Sequence, residues 1–292
     1  MNLASTLAGP GVQFRSGPFV CRVRSALPEI AQGLAVLYAD HALTEPHGFA
    51  DFHVEVRRVR GLRAVVRPQV EFCFDGERPF KPLPRTQSFA MLEWGLNWCV
   101  ASHAHTHLVI HAASLEKDGR ALIMPAPPGS GKSTLCAALM LSGWRLLSDE
   151  LTLIDLESGW IHPLARPVNL KNASIDLIAK KFPHARFGPV VPDTHKGRIS
   201  HLKPDRRSVH EAPRPARAEW VVYPRFASNA PTTRRPVGPA KSFMSLAGNA
   251  FNYTLLGREG FLAVGALTRK TQAFSLEFGD LDAAIEVLEA LA

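Results

Sequence analysis

The segment HLVIHAASLEKDGRALIMPAPPGSGKSTLCAALMLSGWRLLSDELTLID, residues 107–155, carries the strongest structural signal in the chain. It begins with two apolar, strand-like runs separated by a turn at 117–119. A glycine-rich loop, a helical run over 132–141 and another apolar run follow. This succession of strand, loop, helix and strand is typical of α/β nucleotide-binding proteins. The sequence therefore predicts an α/β fold organised around these residues.

The glycine-rich loop is the most specific motif in the segment. Residues 126–134, APPGSGKST, match the phosphate-binding pattern G-x-x-x-x-G-K-[ST], with Ala126 in place of the first glycine. Small residues allow backbone N–H groups to close around phosphate oxygens, and the helix that follows points its positive end at them. In such loops the lysine, here Lys132, reaches the β- and γ-phosphates, and the next hydroxyl, here Ser133, binds Mg²⁺.

The motif therefore predicts a nucleoside triphosphate and Mg²⁺ as ligands. The nucleotide-binding residues that it predicts are Gly129, Ser130, Gly131, Lys132, Ser133 and Thr134. An ordinary glycine loop before a helix is the alternative, but here an apolar strand precedes the loop and an apolar helix follows it, as the motif requires. The loop by itself indicates a nucleoside triphosphate and no particular reaction.

Two adjacent acids, Asp149 and Glu150, interrupt the apolar run RLLSDELTLID. Carboxylates in a buried strand are costly unless they bind a metal or accept a proton, although a bulge or a strand end facing solvent would also accommodate them. Neighbouring side chains of an extended strand point to opposite faces, so we expect one acid to serve the acceptor and the other the metal. Spacing alone does not say which.

His111 lies on the strand that precedes the loop. A single histidine on an apolar strand fits a hydrogen-bonded core residue as well as a site residue. The pattern His103-x-His105-x-His107 would place three imidazoles on one face of a strand, but no acid or cysteine follows at ligand spacing. A polar link between a helix and a strand is the simpler interpretation of these three histidines.

Taken together, these residues resemble the catalytic domain of bacterial HPr kinase/phosphorylase. That family has a histidine-bearing strand, a P-loop, a helix with a characteristic end and an acidic pair, with matching spacing from His111 through Lys132 to Asp149. The helix end is represented here by 143–146, GWRL. The whole chain is more similar to the branch called HPr kinase-related kinase A, in the stretches GPFV, LEWGLNWC, RPVNLKNASID, FGPVV and NAFNY.

The resemblance implies a phosphoenolpyruvate-carboxykinase-like P-loop kinase core and an ATP-dependent serine kinase. In it, Asp149 takes the proton from the accepting hydroxyl, Glu150 joins Ser133 in holding Mg²⁺, and His111 lies by the transferred phosphoryl group. The catalytic residues that it implies are therefore Asp149, His111 and Lys132. Three positions depart from the family pattern, namely Ala126, the glutamate of the acid pair, and 166–171, where the family has a glycine-rich signature.

Kinases of this class also need cations that neutralise the transferred phosphoryl group. Lys196 and Arg198, in the loop THKGR, are candidates, as are Arg166 and Lys171. Exposed basic loops are the alternative for all four.

The leading functional hypothesis is transfer of the γ-phosphoryl group of ATP to a serine-type hydroxyl. Relatives of this type belong to peptide-modifying systems, so the implied partners are a peptide or small-protein acceptor and, as a further candidate, a PqqD-type peptide-binding chaperone. A homo-oligomer is left open. The alternatives are an ATP-gated binding or assembly protein of such a system, and a small-molecule kinase acting on free serine-type substrates.

The rest of the chain suggests two parts. Residues 1–100 are predicted to form an α+β module and residues 101–292 the nucleotide-binding catalytic domain. The elements predicted in the first part are strands over 18–26, 49–58 and 70–74 and helices over 27–39 and 89–104. Those predicted in the second are helices over 173–181, 241–253 and 281–292, strands over 219–226 and 272–278, and loops over 203–217 and 228–240.

Composition narrows the functional classes. The net charge of +8 suits an anionic partner, but no nucleic-acid-binding motif accompanies it, so we expect no nucleic-acid ligand. No apolar run approaches the length of about 18 residues that a membrane span needs. The four cysteines form no C-x-x-C pair, which predicts buried thiols in a reducing, cytoplasmic compartment.

Overall fold

The computed structural model describes residues 2–61 and 66–292, and the fold is mixed α/β. The strands are β1 (Val12–Ser16), β2 (Phe19–Arg24), β3 (Phe52–Arg58), β4 (Gln69–Phe74), β5 (Leu83–Pro84), β6 (His107–Lys117), β7 (Arg120–Pro125), β8 (Arg145–Ser148), β9 (Leu151–Asp155), β10 (Ile161–His162), β11 (Val168–Lys171), β12 (Val191–Thr194), β13 (Gly197–Leu202), β14 (Arg217–Phe226), β15 (Thr233–Pro236) and β16 (Gln272–Phe278). The helices are α1 (Leu3–Ala8), α2 (Pro28–Leu37), α3 (Ser88–His103), α4 (Lys132–Leu141), α5 (Ala173–Lys181), α6 (Arg206–His210), α7 (Pro239–Asn249), α8 (Tyr253–Leu256), α9 (Arg258–Lys270) and α10 (Leu281–Glu289).

Three sheets organise these elements. The central one has eight strands in the order β10-β9-β6-β7-β14-β16-β15, with β8 also paired to β6. β7, β14 and β16 run parallel, whereas β6 is antiparallel to β7, β8 and β9. A five-stranded sheet contains β1 to β5, and a three-stranded sheet has the order β11-β13-β12.

The two faces of the central sheet are covered differently. On one face, apolar side chains of α7 and α9 such as Leu246 and Val264 pack on β6, β7 and β14. On the other face, α4 and α10 cover β7, β14 and β16, while α2, α3 and the five-stranded sheet cover Val109 of β6 and Leu153 of β9. The glycine-rich loop connects β7 to α4.

Most of the predicted elements are confirmed to within a few residues. α4 covers the residues predicted for it, and β6 and β7 form the predicted hairpin, whose turn residues Asp118 and Gly119 both have positive φ (52° and 81°). That pair of angles is typical of a tight two-residue turn between antiparallel strands. All four cysteines are free and buried, as predicted. In the described part of the chain, no helix combines the length and apolar character that crossing a membrane requires.

Three predictions about local structure are wrong. The strand predicted over RLLSDELTLID is broken into β8 and β9, because Asp149 and Glu150 form a bend between them. The predicted loops over 203–217 and 228–240 contain α6 and the edge strand β15, and the sequence analysis did not identify α9. The interpretation of His103, His105 and His107 as a link between a helix and a strand is confirmed, since the first ends α3, the second lies in the link and the third begins β6.

β8, the strand that leads into the acid pair, is fixed by a buried ion pair. Arg145 donates through Nε to the carboxylate of Glu116 on β6, and both side chains are almost fully buried. The guanidinium also donates to the carbonyl oxygens of Glu211 (2.9 Å) and Arg214 (2.8 Å). These contacts provide partners for the buried guanidinium and hold β8, and with it the start of the acid pair, in a fixed position beside β6.

We therefore expect Arg145→Met to lower the free energy of unfolding by about 3–5 kcal/mol, because it leaves the Glu116 carboxylate buried without its main partner. Urea unfolding followed by circular dichroism measures this change. The double variant Arg145→Met/Glu116→Gln should recover a large part of the loss. Arg225→Met, which removes an exposed ion pair with Glu277 at 3.7 Å, is the control and should change stability by less than about 0.5 kcal/mol.

Candidate functional site

The glycine-rich loop connects the end of β7 to the first residue of α4. Gly129 and Gly131 have φ values of 85° and 86°, a region that favours glycine. A Cβ atom on Gly131 would lie 3.0 Å from Cζ of Phe278 and 3.1 Å from Cβ of Phe226. The backbone N–H of Phe226 also donates to the carbonyl oxygen of Ser130 at 3.0 Å. The last residues of β14 and β16 therefore hold the loop in place.

Lys132 is the first residue of α4, and its side chain is buried. Among the described residues, neither its Nζ nor the nearby Ser130 Oγ has a hydrogen-bond partner. A buried ammonium without a hydrogen bond is unfavourable unless an anion takes the place of water. The loop backbone, the start of α4 and this ammonium together fit a phosphate chain.

Asp149 and Glu150 face a common cavity of about 20 Å³ instead of opposite faces of a strand. The expectation that the two acids point to opposite sides is thus wrong, because the bend between β8 and β9 removes the strand alternation. Asp149 Oδ2 accepts a hydrogen bond from the backbone N–H of Asn169 at 3.1 Å, and Glu150 Oε2 accepts one from Asn97 Nδ2 at 2.8 Å. The two acids are therefore held by different elements.

The two carboxyl groups also differ in acidity. Burial raises the pKa of Asp149 to about 6, against the opposing effect of the nearby Lys132 ammonium. Burial would also raise the pKa of Glu150, but the positive charges of Lys132, Lys196 and Lys171 outweigh it, so that pKa lies below its ordinary value. At neutral pH both groups are ionised, and Asp149 is the one whose proton affinity suits a general base.

The cavity beside the acids contains an unusual concentration of buried polar atoms without partners. Within the described ranges, the unpartnered atoms that line it are Trp94 Nε1, Asp149 Oδ1, Arg166 Nε, Asn169 Oδ1 and His201 Nε2. Native proteins leave few such atoms, and each one calls for a ligand, an ion or a water molecule. Donors and acceptors converge here, next to Lys132, which indicates a binding site for a polar group.

The structure brings some of the other predicted residues to this site. His111 lies close enough to Glu150 and Lys132 for their charges to act on it, and burial together with the Lys132 charge lowers its pKa to about 4, so its imidazole is neutral at pH 7. Arg166 lines the cavity, and Lys196 Nζ lies 5.3 Å from the centre of the Trp94 ring. Arg198 pairs with Asp176 at the surface and does not line the cavity.

A chain of buried polar side chains, which the sequence analysis missed, reaches the site from α2 and α3. The Tyr38 hydroxyl donates to Glu93 Oε1 at 2.6 Å, and Glu93 Oε2 lies 3.9 Å from Arg166 Nη1. Arg166 in turn donates to Asn97 Oδ1, and Asn97 donates to Glu150. The signal was present in LEWGLNWC, where Glu93 and Asn97 lie four residues apart on one side of an otherwise apolar helix.

Comparison with known proteins gives one partial match. A family model described as SynChlorMet cassette protein ScmC matches residues 84–165. The matched stretch extends from β5 past β10 and includes the glycine-rich loop and the acid pair, but it covers well under half of the chain. No curated protein matches the sequence.

The raised pKa of Asp149 predicts a pH-dependent gain in stability for Asp149→Asn. The carboxyl group binds its proton more tightly in the folded protein (pKa about 6) than when unfolded (3.8), so its ionisation opposes folding increasingly from pH 4 to pH 6. Asparagine cannot ionise, and the variant should be more stable than the wild type by about 2–3 kcal/mol at pH 8, with almost no difference near pH 4.

Urea unfolding of both proteins at several pH values measures this difference. Asp176→Asn, at an exposed position, is the control and should show no comparable trend. A variant that is less stable than the wild type at pH 8, or a gap that does not change with pH, would contradict the assigned acidity of Asp149.

Proposed function

We propose that the protein is an ATP-dependent kinase that transfers the γ-phosphoryl group to a serine-type hydroxyl of a peptide or small protein. The observation that carries the proposal is the closeness of the buried Lys132 ammonium to the buried Asp149 carboxylate. Over residues 2–61 and 66–292, neither Lys132 Nζ nor Asp149 Oδ1 has a hydrogen-bond partner. The Lys132 ammonium suits binding of a phosphate chain, and the Asp149 carboxylate suits removal of a proton from an acceptor hydroxyl. The resemblance to HPr kinase/phosphorylase supports the same chemistry and a phosphoenolpyruvate-carboxykinase-like core.

The loop residues fit the nucleotide that the motif predicts. The backbone of 129–134 would surround the phosphates, with Lys132 neutralising their charge, and Ser133 and Glu150 would hold Mg²⁺. When bound, Mg²⁺ would neutralise charge on the phosphate oxygens. Asn97 fixes the carboxylate of Glu150 in the apo protein through the hydrogen bond to Oε2, which leaves Oε1 available.

The transfer step needs a base at the acceptor oxygen. The acceptor hydroxyl oxygen forms a bond to the γ-phosphorus as the bond from that phosphorus to the β,γ-bridging oxygen breaks. The hydroxyl proton passes to Asp149 Oδ1, and ADP leaves. A carboxylate with a pKa of about 6 is ionised at neutral pH and retains enough proton affinity to take part.

Arg166 and Lys196 lie near the acids and would supply the remaining positive charge, while neutral His111 would contribute a hydrogen bond and no charge. The description of the ScmC family names a cassette and no reaction, so the family match does not select among substrates. The peptide acceptor, a PqqD-type chaperone as partner, a cytoplasmic location and a homo-oligomer rest on the resemblance and composition alone.

Lys132→Met provides the first test. The variant should bind ATP at least about 30-fold more weakly, because the ammonium contacts the phosphates directly. It should also be less stable without nucleotide, because Asp149 and Glu150 lose the positive charge that compensates their burial. Calorimetric titration with Mg-ATP and thermal unfolding measure the two effects, and the exposed Lys180→Met is the charge-matched control. Unchanged ATP affinity would exclude the phosphate-loop assignment.

The acid pair provides the second test, using single-turnover transfer from radiolabelled ATP. Asp149→Asn should keep its ATP affinity and lose transfer by about 10²–10⁴-fold, the usual contribution of a positioned base. Glu150→Gln should weaken ATP binding only when Mg²⁺ is present. The opposite pattern would exchange the two roles, and two variants with normal transfer would refute the mechanism.

The choice of acceptor separates the proposal from its alternatives. Serine-containing peptides and free serine are offered to the wild type in parallel. Transfer to peptides supports the proposed class, and transfer to free serine alone would favour the small-molecule kinase. The ATP-gated binding protein would be favoured if ATP binding orders the protein but no phosphoryl group reaches peptides or free serine. In that case the Asp149→Asn variant should show the same ATP-induced ordering as the wild type.

A further inference from the structure

Away from the nucleotide loop, three potential metal ligands come together on adjacent strands. His107 of β6 is paired directly with Asp155 of β9 in the antiparallel ladder. His162 of β10 is paired with Leu153, two residues before Asp155. Because side chains alternate along a strand and paired residues share a face, all three side chains project from the same face of the sheet.

The ligand atoms are close enough to share one ion. One ring nitrogen from each histidine and one oxygen of Asp155 all lie within 4.8 Å of one another. His107 Nε2 is 2.8 Å from His162 Nδ1, which fits one imidazole donating its proton to the other. A metal ion would replace this shared proton and contact both nitrogens at once.

We propose that His107, His162 and Asp155 form a binding site for a divalent transition-metal ion of the zinc type. Two imidazoles and one carboxylate are a donor set that such ions favour over Mg²⁺, and they leave a fourth position for water. The site is independent of the proposed kinase activity. It lies about 13 Å along β6 from His111, four residues further on.

The groups behind the ligands support this assignment. Thr106 Oγ1 is 2.9 Å from His107 Nδ1 and fixes the orientation of the ring, with Nε2 facing the other ligands. Asp155 Oδ1 accepts hydrogen bonds from the Ser158 backbone N–H (2.7 Å) and hydroxyl (2.6 Å), which leaves Oδ2 for an ion. Metal-binding histidines and carboxylates are commonly oriented by such second contacts.

Only a small rearrangement is needed. With metal–nitrogen distances of about 2.0–2.1 Å in a tetrahedral site, the two ring nitrogens must separate to about 3.4 Å. His107 is buried and fixed in a long strand, whereas His162 is partly exposed at the end of the two-residue strand β10. The movement falls on His162, which has fewer neighbours to displace.

The test uses the full-length, untagged protein, stripped with chelator and titrated with Co²⁺ and then Zn²⁺ in the absence of nucleotide. We expect one equivalent of Co²⁺ with visible absorption bands of a tetrahedral nitrogen and oxygen site, which Zn²⁺ then displaces. Zn²⁺ should also raise the midpoint of thermal unfolding.

His162→Gln and Asp155→Asn should each weaken Co²⁺ binding at least about tenfold. Both changes lie at partly exposed positions, and circular dichroism verifies that the variants fold. His105→Gln, an exposed histidine of the same segment, and Lys132→Met, in the nucleotide loop, are controls that should bind as the wild type does. Wild-type binding no tighter than that of a folded His162→Gln variant overturns the proposal, as does binding that is lost in Lys132→Met but kept in His162→Gln.

Discussion

The site is arranged around one constraint, the buried ammonium of Lys132, which has no hydrogen-bond partner in the described part of the chain. Removing a charge from water is tolerated only where opposite charge or a ligand lies close by. The two carboxylates of the acid pair provide part of that compensation. The same attraction lowers the pKa of Glu150. The bend between β8 and β9 brings both acids to one cavity, whereas a regular strand would turn one of them away.

The support for the acids comes from both parts of the chain. From the part after residue 100, the buried pair of Arg145 and Glu116 fixes β8. From the other side, α3 supplies Asn97, which binds Glu150, and Trp94, which borders the same cavity. The predicted boundary near residue 100 falls close to the end of α3, so a chain cut there would lose a wall of the cavity along with the first module.

Local features of the site were predictable from sequence, and contacts between distant segments were not. The loop over 126–134 is a contiguous motif, and the helix after it was predicted from residue types alone. The contact of Asn97 with Glu150 joins residues 53 positions apart, and that of His107 with His162 joins residues 55 apart. Such pairs depend on which strands become neighbours, which a single sequence does not encode as a pattern.

Gly131 packs closely against Phe226 and Phe278, which are synthesised much later than the glycine loop. A ribosome that has synthesised the glycine loop must continue for on the order of ten seconds before Phe278 emerges. Until then the loop lacks the ring of Phe278, although Phe226, which donates to the carbonyl oxygen of Ser130, has already been synthesised. The packing around the glycine-rich loop is therefore completed late in synthesis, even though the loop lies near the middle of the chain.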